Sequence, residues 1–95
     1  MYVHLVSFKV KEGEDITFIE LLKFEENNEA KPAGLDHFHL FKDRNDTSRY
    51  FLIEYWESKE NKDLMEKTED HQYFHQLRKL AIDKRYEAHE CDLVV

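Results

Sequence analysis

Two side chains near the middle of the chain have the types needed for acid–base chemistry beside an aromatic surface. Glu54 lies two residues before Trp56, in a run otherwise rich in aromatic and β-branched residues. Burial raises the pKa of a carboxyl group, which makes Glu54 a candidate general base. Trp56 is a candidate pocket wall. The alternatives are a carboxylate paired with a neighbouring helix or chain, and a tryptophan of the core.

Four histidines form two further pairs. His37 and His39 alternate along a predicted strand, so both project from one face, beside Tyr55 of the next strand. They could transfer protons as a pair, or make structural or dimer contacts. His71 and His75 are four residues apart on a predicted helix, a spacing at which two imidazoles can share a metal ion. The sequence has no HExxH arrangement and no evident third ligand, so we predict no metal site and expect an exposed pair.

A predicted hairpin positions four of these candidates, Glu54, Trp56, His37 and His39. Leu35–Lys42 and Arg49–Trp56 have strand composition, and residues 43–48 between them are turn formers without an apolar residue. The pattern predicts that Lys42 lies opposite Tyr50. The pairing then continues with Leu40 opposite Leu52, Phe38 opposite Glu54, and Asp36 opposite Trp56. Neither face of this hairpin is simply polar, so both faces need a cover.

The first third of the chain predicts a strand and a helix. Tyr2–Val10 alternates with apolar side chains on both faces. The helix that follows is capped by Asp15 or Thr17 and stopped by Lys31 and Pro32, because the residue before proline is pushed out of the helical region. Residues 25–29 are expected to turn polar. Its broad buried side is predicted to consist of Ile16, Phe18, Ile19, Leu21, Leu22 and Phe24.

The last third predicts two helices and a strand. Residues 58–67 have helical composition with only Leu64 and Met65 to bury, so we expect a short helix over an edge or cleft. A stronger helix begins at Asp70 and ends before residue 86, and residues 86–95 form the last strand. The buried side of the stronger helix is predicted to consist of Tyr73, Phe74, Leu77, Leu80 and Ala81.

The order β-α-β-β-α-β is that of a ferredoxin-like α+β domain, a four-stranded antiparallel sheet with helices on one face. Because the uncovered face is too apolar to stay in water, we expect a face-to-face homodimer. The 95 residues suffice for one domain, residues 1–95, with one modest core. Strongly aromatic composition, with seven Phe and five Tyr, favours a folded globule over a disordered segment.

Composition also narrows the partners and the compartment. The net charge of −7 and the scattered Lys and Arg disfavour nucleic acid and anionic membrane as partners. We find no signal peptide and no apolar run long enough to span a membrane. Cys91 is the only cysteine, so no intrachain disulfide can form and a reducing cytoplasm is the expected location. We interpret Cys91 as a small apolar filler.

Four segments carry a resemblance to a known family: PAGL at 32–35, FHLFKD at 38–43, YFLIEYWES at 50–58, and Thr68 with Phe74. Together they resemble the antibiotic biosynthesis monooxygenase family of dimeric α+β barrels, and EYWES at 54–58 is the most specific part. The opening VHLVSFK at 3–9 also resembles the stress-responsive dimeric α+β barrel family, a sister group with the same architecture.

The first resemblance implies an oxygenase, cofactor-free or haem-using, with its pocket between sheet and helices. A cofactor-free oxygenase needs a dry aromatic pocket, a base, and a donor for the developing oxyanion. We therefore predict a cofactor-independent monooxygenase that acts with molecular oxygen on a small aromatic or quinol-type substrate. Its predicted catalytic residues are Glu54, Trp56, His37 and His39.

Departures from the family keep two alternatives open. Family histidines fall, by ungapped counting, on Met65 and Asp70, with His71 one position later. The haem-degrading branch uses an Asn, a Trp and a haem-ligating His that fall on Val6, Met65 and His75, so only His75 is retained for haem. Haem binding or degradation is the first alternative. The second is a stress-associated dimeric binding module without chemistry, as the sister family implies.

Overall fold

The computed structural model describes residues 1–27 and 32–95. Four strands and three helices follow one another along these residues. In chain order they are β1 (Tyr2–Val10), α1 (Asp15–Asn27), β2 (Leu35–Lys42), β3 (Arg49–Trp56), α2 (Lys59–Glu66), α3 (Glu69–Ala81) and β4 (Ile82–Asp92). The strands form one antiparallel sheet in the order β2-β3-β1-β4. The predicted ferredoxin-like α+β fold is confirmed, with α2 as an additional short helix.

The β2–β3 hairpin has the predicted bounds and nearly the predicted register. Lys42 lies opposite Tyr50, and Phe38 lies opposite Glu54. The register shifts between Leu35 and His37, so that Leu35, not Asp36, lies opposite Trp56. The Asp36 pairing was therefore wrong, because a local irregularity in a strand moves every residue beyond it.

The last strand was placed too late in the chain. β4 begins at Ile82, directly after α3, and ends at Asp92. Its residues pair with β1 from Val10 back to Tyr2, so no strand remains to pair with Leu93, Val94 and Val95. The last two of these side chains are almost fully exposed. The apolar composition of residues 93–95 had suggested that the strand includes them. A strand extends only as far as it has a neighbouring strand to pair with, and β1 ends the pairing at Tyr2.

The helices cover one face of the sheet with a narrower apolar stripe than predicted. The core contains the buried side chains Val6, Phe8, Val10, Phe18, Leu22, Tyr50, Leu52 and Ala81. Five side chains assigned to buried helix faces are instead exposed, which corrects the prediction: Ile16, Phe24, Leu64, Tyr73 and Leu80. A helix on a sheet buries one stripe of its surface, and these helices carry more apolar residues than one stripe can hold.

The ends of α1 also differ from the prediction. Phe18 N donates to Glu14 O at 2.9 Å, so the cap lies at Glu14, and Thr17 lies inside the helix. Glu25 is buried, although the end of this helix was expected to be polar. Lys31, predicted to stop the helix with Pro32, lies outside the described residues.

Tyr50 joins the core to the start of α1. Its hydroxyl donates to Asp15 Oδ2 at 2.6 Å. Two causes raise the pKa of Tyr50 to about 12: burial, which is the larger, and this hydrogen bond to a carboxylate. A folded-state pKa above the unfolded value of about 10 stabilises the fold below pH 10, and this stabilisation is lost as the pH rises through 12.

We predict that Tyr50→Phe lowers the free energy of unfolding at neutral pH by about 1 kcal/mol, because it removes this hydrogen bond. Between pH 10 and 12 the wild type should approach the variant, since the phenol ionises in the unfolded chain while burial and Asp15 still hold it neutral in the folded protein. Urea unfolding of both proteins over this range measures the difference. A difference that stays constant up to pH 12 would contradict this account.

The other face of the sheet has no helix on it among the described residues. It presents Phe51, Ile53 and Tyr55 from β3 and the half-exposed Phe41 from β2. Val3 and Leu5 of β1 continue this apolar surface. We propose that a second copy of the chain covers it, because a large apolar face needs a cover and the same face of a second copy can provide one in a twofold contact.

Ile53→Lys should therefore convert a dimer to a monomer at micromolar concentration without unfolding the chain, since it places a charge in the middle of this face. Gln76→Lys, an exposed position on α3, adds the same charge away from the sheet and should leave the dimer intact. Sedimentation velocity distinguishes the two. A monomeric wild type, or an Ile53→Lys dimer as tight as the wild type, would contradict the proposal.

Candidate functional site

Two adjoining spaces lie on the helix side of the sheet: an outer cavity among the three helices and the segment before β2, and an inner chamber between α3 and the covered face of the sheet. The outer cavity holds about 310 Å³, and Pro32, Leu64 and Phe74 contribute to its largely apolar wall. The inner chamber holds about 80 Å³ and is lined by side chains of the sheet and of α3. Glu25, Met65 and His71 line both spaces and form the wall between them.

The inner chamber contains the first buried carboxylate. Glu54 of β3 is 4% exposed and lies directly across from His4 of β1 in the sheet. His4 Nδ1 is 3.3 Å from Glu54 Oε1. Alternation along both strands directs these side chains to the helix side, among Val6 and Leu52. The pair is a buried acid–base couple beside an apolar surface.

The shared wall contains the second buried carboxylate. Glu25 of α1 is also 4% exposed and contacts two side chains of α3. His71 Nδ1 lies 3.0 Å from Glu25 Oε1, and Arg78 Nε lies 3.1 Å from Glu25 Oε2. The first contact is a hydrogen bond. The second is an ion pair whose angle is not that of a hydrogen bond, so it holds the two charges together without fixing their orientation.

Asn61 of α2 places an amide on the outer cavity. Ser58 caps α2, accepting from Asn61 N at 3.2 Å, and the Ser58 hydroxyl donates to Asn61 Oδ1 at 2.6 Å. Asn61 Oδ1 accepts this hydrogen bond, and the amide nitrogen Nδ2 is the donor group of the side chain. The amide packs against Gly34, where the absence of a Cβ leaves room for it. The φ of +84° at this position is also one that glycine adopts without strain.

Trp56 lies behind the outer cavity. It is fully buried in a cluster with Tyr2 and Leu35, and Met65 packs against this cluster. Met65 in turn lines both spaces. Trp56 therefore supports the cavity wall through Met65.

His37 and His39 lie on the opposite side of the sheet. His37 stacks on Tyr55 with ring centroids 4.0 Å apart, and its Nδ1 is 2.5 Å from Asp36 Oδ2. His39 packs edge-on against the rings of His37 and Tyr55. The sheet separates this aromatic group from Glu54, so the four predicted catalytic residues are divided between two faces.

His75 lines the inner chamber, one helical turn after His71. Their rings are 5.8 Å apart, but His71 is held by Glu25. Within residues 1–27 and 32–95, no group of three or more His, Cys, Asp or Glu side chains could hold a metal ion. His71 is only 17% exposed in its side chain, so the expectation of an exposed pair was wrong for this member.

Sequence reasoning missed His4, Glu25, Arg78 and Asn61, although three of them follow from spacing. Glu25 lies three residues after Leu22 and seven after Phe18, on the buried stripe of α1. Arg78 lies seven residues after His71, on one face of α3. His4 alternates with Tyr2 and Val6. The signal that could have identified these three residues is an ionisable side chain at a position whose spacing places it on the buried face of its helix or strand.

Comparison with known proteins identifies the family to which this chain belongs. The profile of the antibiotic biosynthesis monooxygenase family matches residues 1–77, which include β1, the hairpin, α2 and most of α3. The chain belongs to this family. A comparison with curated proteins gives no significant match.

Solved structures classed with the antibiotic biosynthesis monooxygenases share the fold. A protein from Chloroflexus aurantiacus is 19% identical with a TM-score of 0.84, covering 99% of this chain and 93% of the other. One from Bordetella bronchiseptica is 18% identical with a TM-score of 0.85, covering 99% and 97%. One from Nitrosomonas europaea is 16% identical with a TM-score of 0.84, covering both chains completely. Identities this low show the fold alone.

Membership of the antibiotic biosynthesis monooxygenase family supports a monooxygenase-like function for this chain. Among the described residues, no helix is long and apolar enough to cross a membrane. The buried carboxylate pairs lie between helices and sheet, on the face opposite the one expected to meet a second copy.

Gly34→Ala should destabilise this monooxygenase-family protein more than Gly13→Ala. Both glycines have positive φ, which costs an L residue roughly 1–2 kcal/mol. A Cβ at Gly34 would also lie 2.6 Å from Asn61 Nδ2, whereas one at Gly13 meets nothing within 4 Å. Urea unfolding of the two variants isolates the contact with Asn61. Equal losses would show that the amide does not pack against Gly34.

Proposed function

We propose that this member of the antibiotic biosynthesis monooxygenase family is a cofactor-independent monooxygenase that acts on a small quinol-type aromatic molecule with molecular oxygen. The observation that carries the proposal is a largely apolar cavity with the Glu25–His71 pair in its wall and the buried His4–Glu54 pair in the smaller chamber beyond that wall. A cofactor-free oxygenase must remove protons from its substrate in a space that excludes water.

The size of the outer cavity supports a small substrate. Its volume of about 310 Å³ lies at the lower end of the roughly 300–1,000 Å³ that is typical of small-molecule sites. Leu64, Met65 and Phe74 offer apolar surface to a ring. Phe24 extends that surface, with its ring 5.0 Å from that of Phe74. A molecule of one or two fused rings matches this space.

The reaction balances with the substrate as the only reductant. A hydroquinone and O₂ give a hydroxyquinone and water: one oxygen atom forms a bond to ring carbon, the other leaves as water, and the ring supplies the four electrons. Loss of a hydroxyl proton makes the ring electron-rich enough to transfer an electron to O₂. The radical and superoxide combine to a peroxide, and its O–O bond breaks as the ring is oxidised.

Each predicted part has a candidate. Glu54 is the base for a proton presented at the inner chamber, and His4 stabilises its charge by hydrogen bonding. Asn61 Nδ2 is a donor for an oxyanion of the substrate in the outer cavity. Trp56 holds Met65 against the cavity. His37 and His39, predicted as a catalytic pair, contribute contacts to the homodimer in this proposal.

The residues around His75 do not fit a haem. The chamber that His75 lines holds about 80 Å³, well below the roughly 300 Å³ of even a small ligand site, and Glu25, Glu54 and Glu66 line it as well. Val6 and Met65 offer no polar group beside it. Haem therefore has no part in the proposed reaction. The proposed protein is a homodimer of the cytoplasm, where a lone thiol such as Cys91 stays reduced.

Purified, metal-stripped protein should consume oxygen with dihydroxynaphthalenes or anthrones faster than these compounds autoxidise. Glu54→Gln should lower kcat by about 100-fold or more, since a general base contributes roughly 10²–10⁴-fold. The glutamine retains an oxygen that can accept from His4. Glu57→Gln is the matched control, because Glu57 is exposed and lines neither space.

The outcomes of this experiment distinguish the monooxygenase function from its two alternatives. Uptake that falls in Glu54→Gln but not in Glu57→Gln supports the proposal. Uptake equal in both variants removes Glu54 from the mechanism. No uptake by the wild type with any member of the panel contradicts the enzyme function, and a haem titration compared with His75→Ala then distinguishes haem binding from a binding module without chemistry.

A further inference from the structure

We propose that His71 is a second catalytic base, which takes the proton of a phenolic hydroxyl bound in the outer cavity, with Glu25 as its positioning residue. The inference rests on the proposed function and deepens it, because it assigns a substrate class with two ionisable hydroxyl groups. Glu25, His71 and Arg78 have no part in the chemistry assigned to Glu54, yet Glu25 and His71 line the outer cavity, and Arg78, which pairs with Glu25, lines the inner chamber.

The hydrogen bond to Glu25 fixes which nitrogen of His71 is basic. A carboxylate only accepts hydrogen bonds, so the proton of the neutral imidazole lies on Nδ1, which faces Glu25 Oε1 at 3.0 Å. Nε2 then carries the lone pair. A carboxylate that orients an imidazole in this way also stabilises the imidazolium formed when Nε2 takes a proton.

Arg78 places a positive charge beside the second carboxylate oxygen of Glu25. A guanidinium remains charged at every relevant pH, and its Nε lies 3.1 Å from Glu25 Oε2. Both side chains are less than a tenth exposed, so water screens the pair weakly. Glu25 thus pairs with two side chains: Arg78, which cannot release a proton, and His71, which can gain one.

The backbone places this imidazole on the cavity wall. His71 N donates to Oγ1 of Thr68, the cap of α3, at 3.2 Å. Glu25 reaches across from α1, so His71 is held at both its backbone and its side chain. The ring lines the outer cavity and the inner chamber, where a substrate hydroxyl in the outer cavity would meet it.

Two bases suit a substrate that loses two hydroxyl protons. His71 borders the larger space and Glu54 the smaller one. Proton transfer from a phenol to Nε2 gives a phenolate and an imidazolium, and charge is conserved within the site. A dihydroxy-aromatic bound in the outer cavity can present one hydroxyl to His71 and direct the other towards the shared wall, beyond which Glu54 lies, whereas a simple phenol has only one hydroxyl to present. The assigned class is therefore hydroquinones.

Ionisation of a bound hydroquinone can be measured without oxygen. A dihydroxynaphthalene is titrated into anaerobic protein, and the phenolate absorption band and the dissociation constant are recorded from pH 5 to pH 9. Wild type and His71→Gln are compared with His89→Gln. His89 also pairs with a carboxylate, Glu87 Oε2 at 3.0 Å, but it is exposed and lies away from both spaces.

The wild type and His89→Gln should show the phenolate band, and its pH midpoint should lie below that of the free compound. His71→Gln should bind within about threefold of the wild-type affinity but move this midpoint up to that of the free compound. Glutamine can still donate to Glu25, so this variant keeps the buried pair. Glu25→Gln should give an intermediate midpoint, with folding verified by circular dichroism.

These results separate the two proposals. A wild-type phenolate band that is unchanged in His71→Gln overturns the role of His71 whether or not oxygen is consumed. A band that depends on His71 in a protein that consumes no oxygen supports His71 and contradicts the monooxygenase function. If the wild type gives no band with any dihydroxynaphthalene, His71 is not a base for this substrate class.

Discussion

Two carboxylates enclosed between helices and sheet set the conditions for the rest of this structure. A buried carboxylate is tolerated only where it is paired, because removal from water costs several kcal/mol per ion. Glu25 and Glu54 are each about 4% exposed, and each has an imidazole within hydrogen-bonding distance. The Glu25 pairs connect α1 to α3, and the Glu54 pair connects β3 to β1. The charged groups thus hold α1 against α3 on one side and β1 against β3 on the other.

In the proposed reaction, the same pairing prepares the site for proton transfer. A core of similar volume could be filled by Phe and Leu alone, with no cavity at its edge and no ionisable group inside. Here the apolar core around Phe18 and Leu22 ends at Glu25, and the outer cavity begins on the other side of the wall. Charge and apolar surface meet at one place, which is what oxidation of a quinol without a cofactor requires.

The open face of the sheet explains the division of the histidines. His37 and His39 are stacked with Tyr55 on the side away from the helices, while His4, His71 and His75 line the inner chamber. A strand directs alternate side chains to opposite faces, so neighbours in sequence serve different surfaces. On this account one face of the sheet provides chemistry and the other provides assembly.

The hairpin, the order of elements and the family were predictable from sequence because they depend on local composition and on period-two alternation. The Glu25 contacts were not, since α1 and α3 are separated by more than forty residues and only the fold shows that Glu25 meets His71. The exposed Ile16 and Leu80 were misjudged for a related reason: an apolar residue on a helix is buried only if the stripe it belongs to faces the sheet. Asn61 gave no sequence signal, because its orientation depends on Ser58 and on the space above Gly34.

The most direct test of the central claim is a crystal structure of the protein grown without oxygen in the presence of a saturating dihydroxynaphthalene. The account predicts ring density in the outer cavity, in contact with Met65 and Phe74 and with a hydroxyl beside the wall formed by Glu25 and His71. A ligand found on the open face of the sheet, or an outer cavity that stays empty at saturation, would contradict the assignment of this cavity as the site.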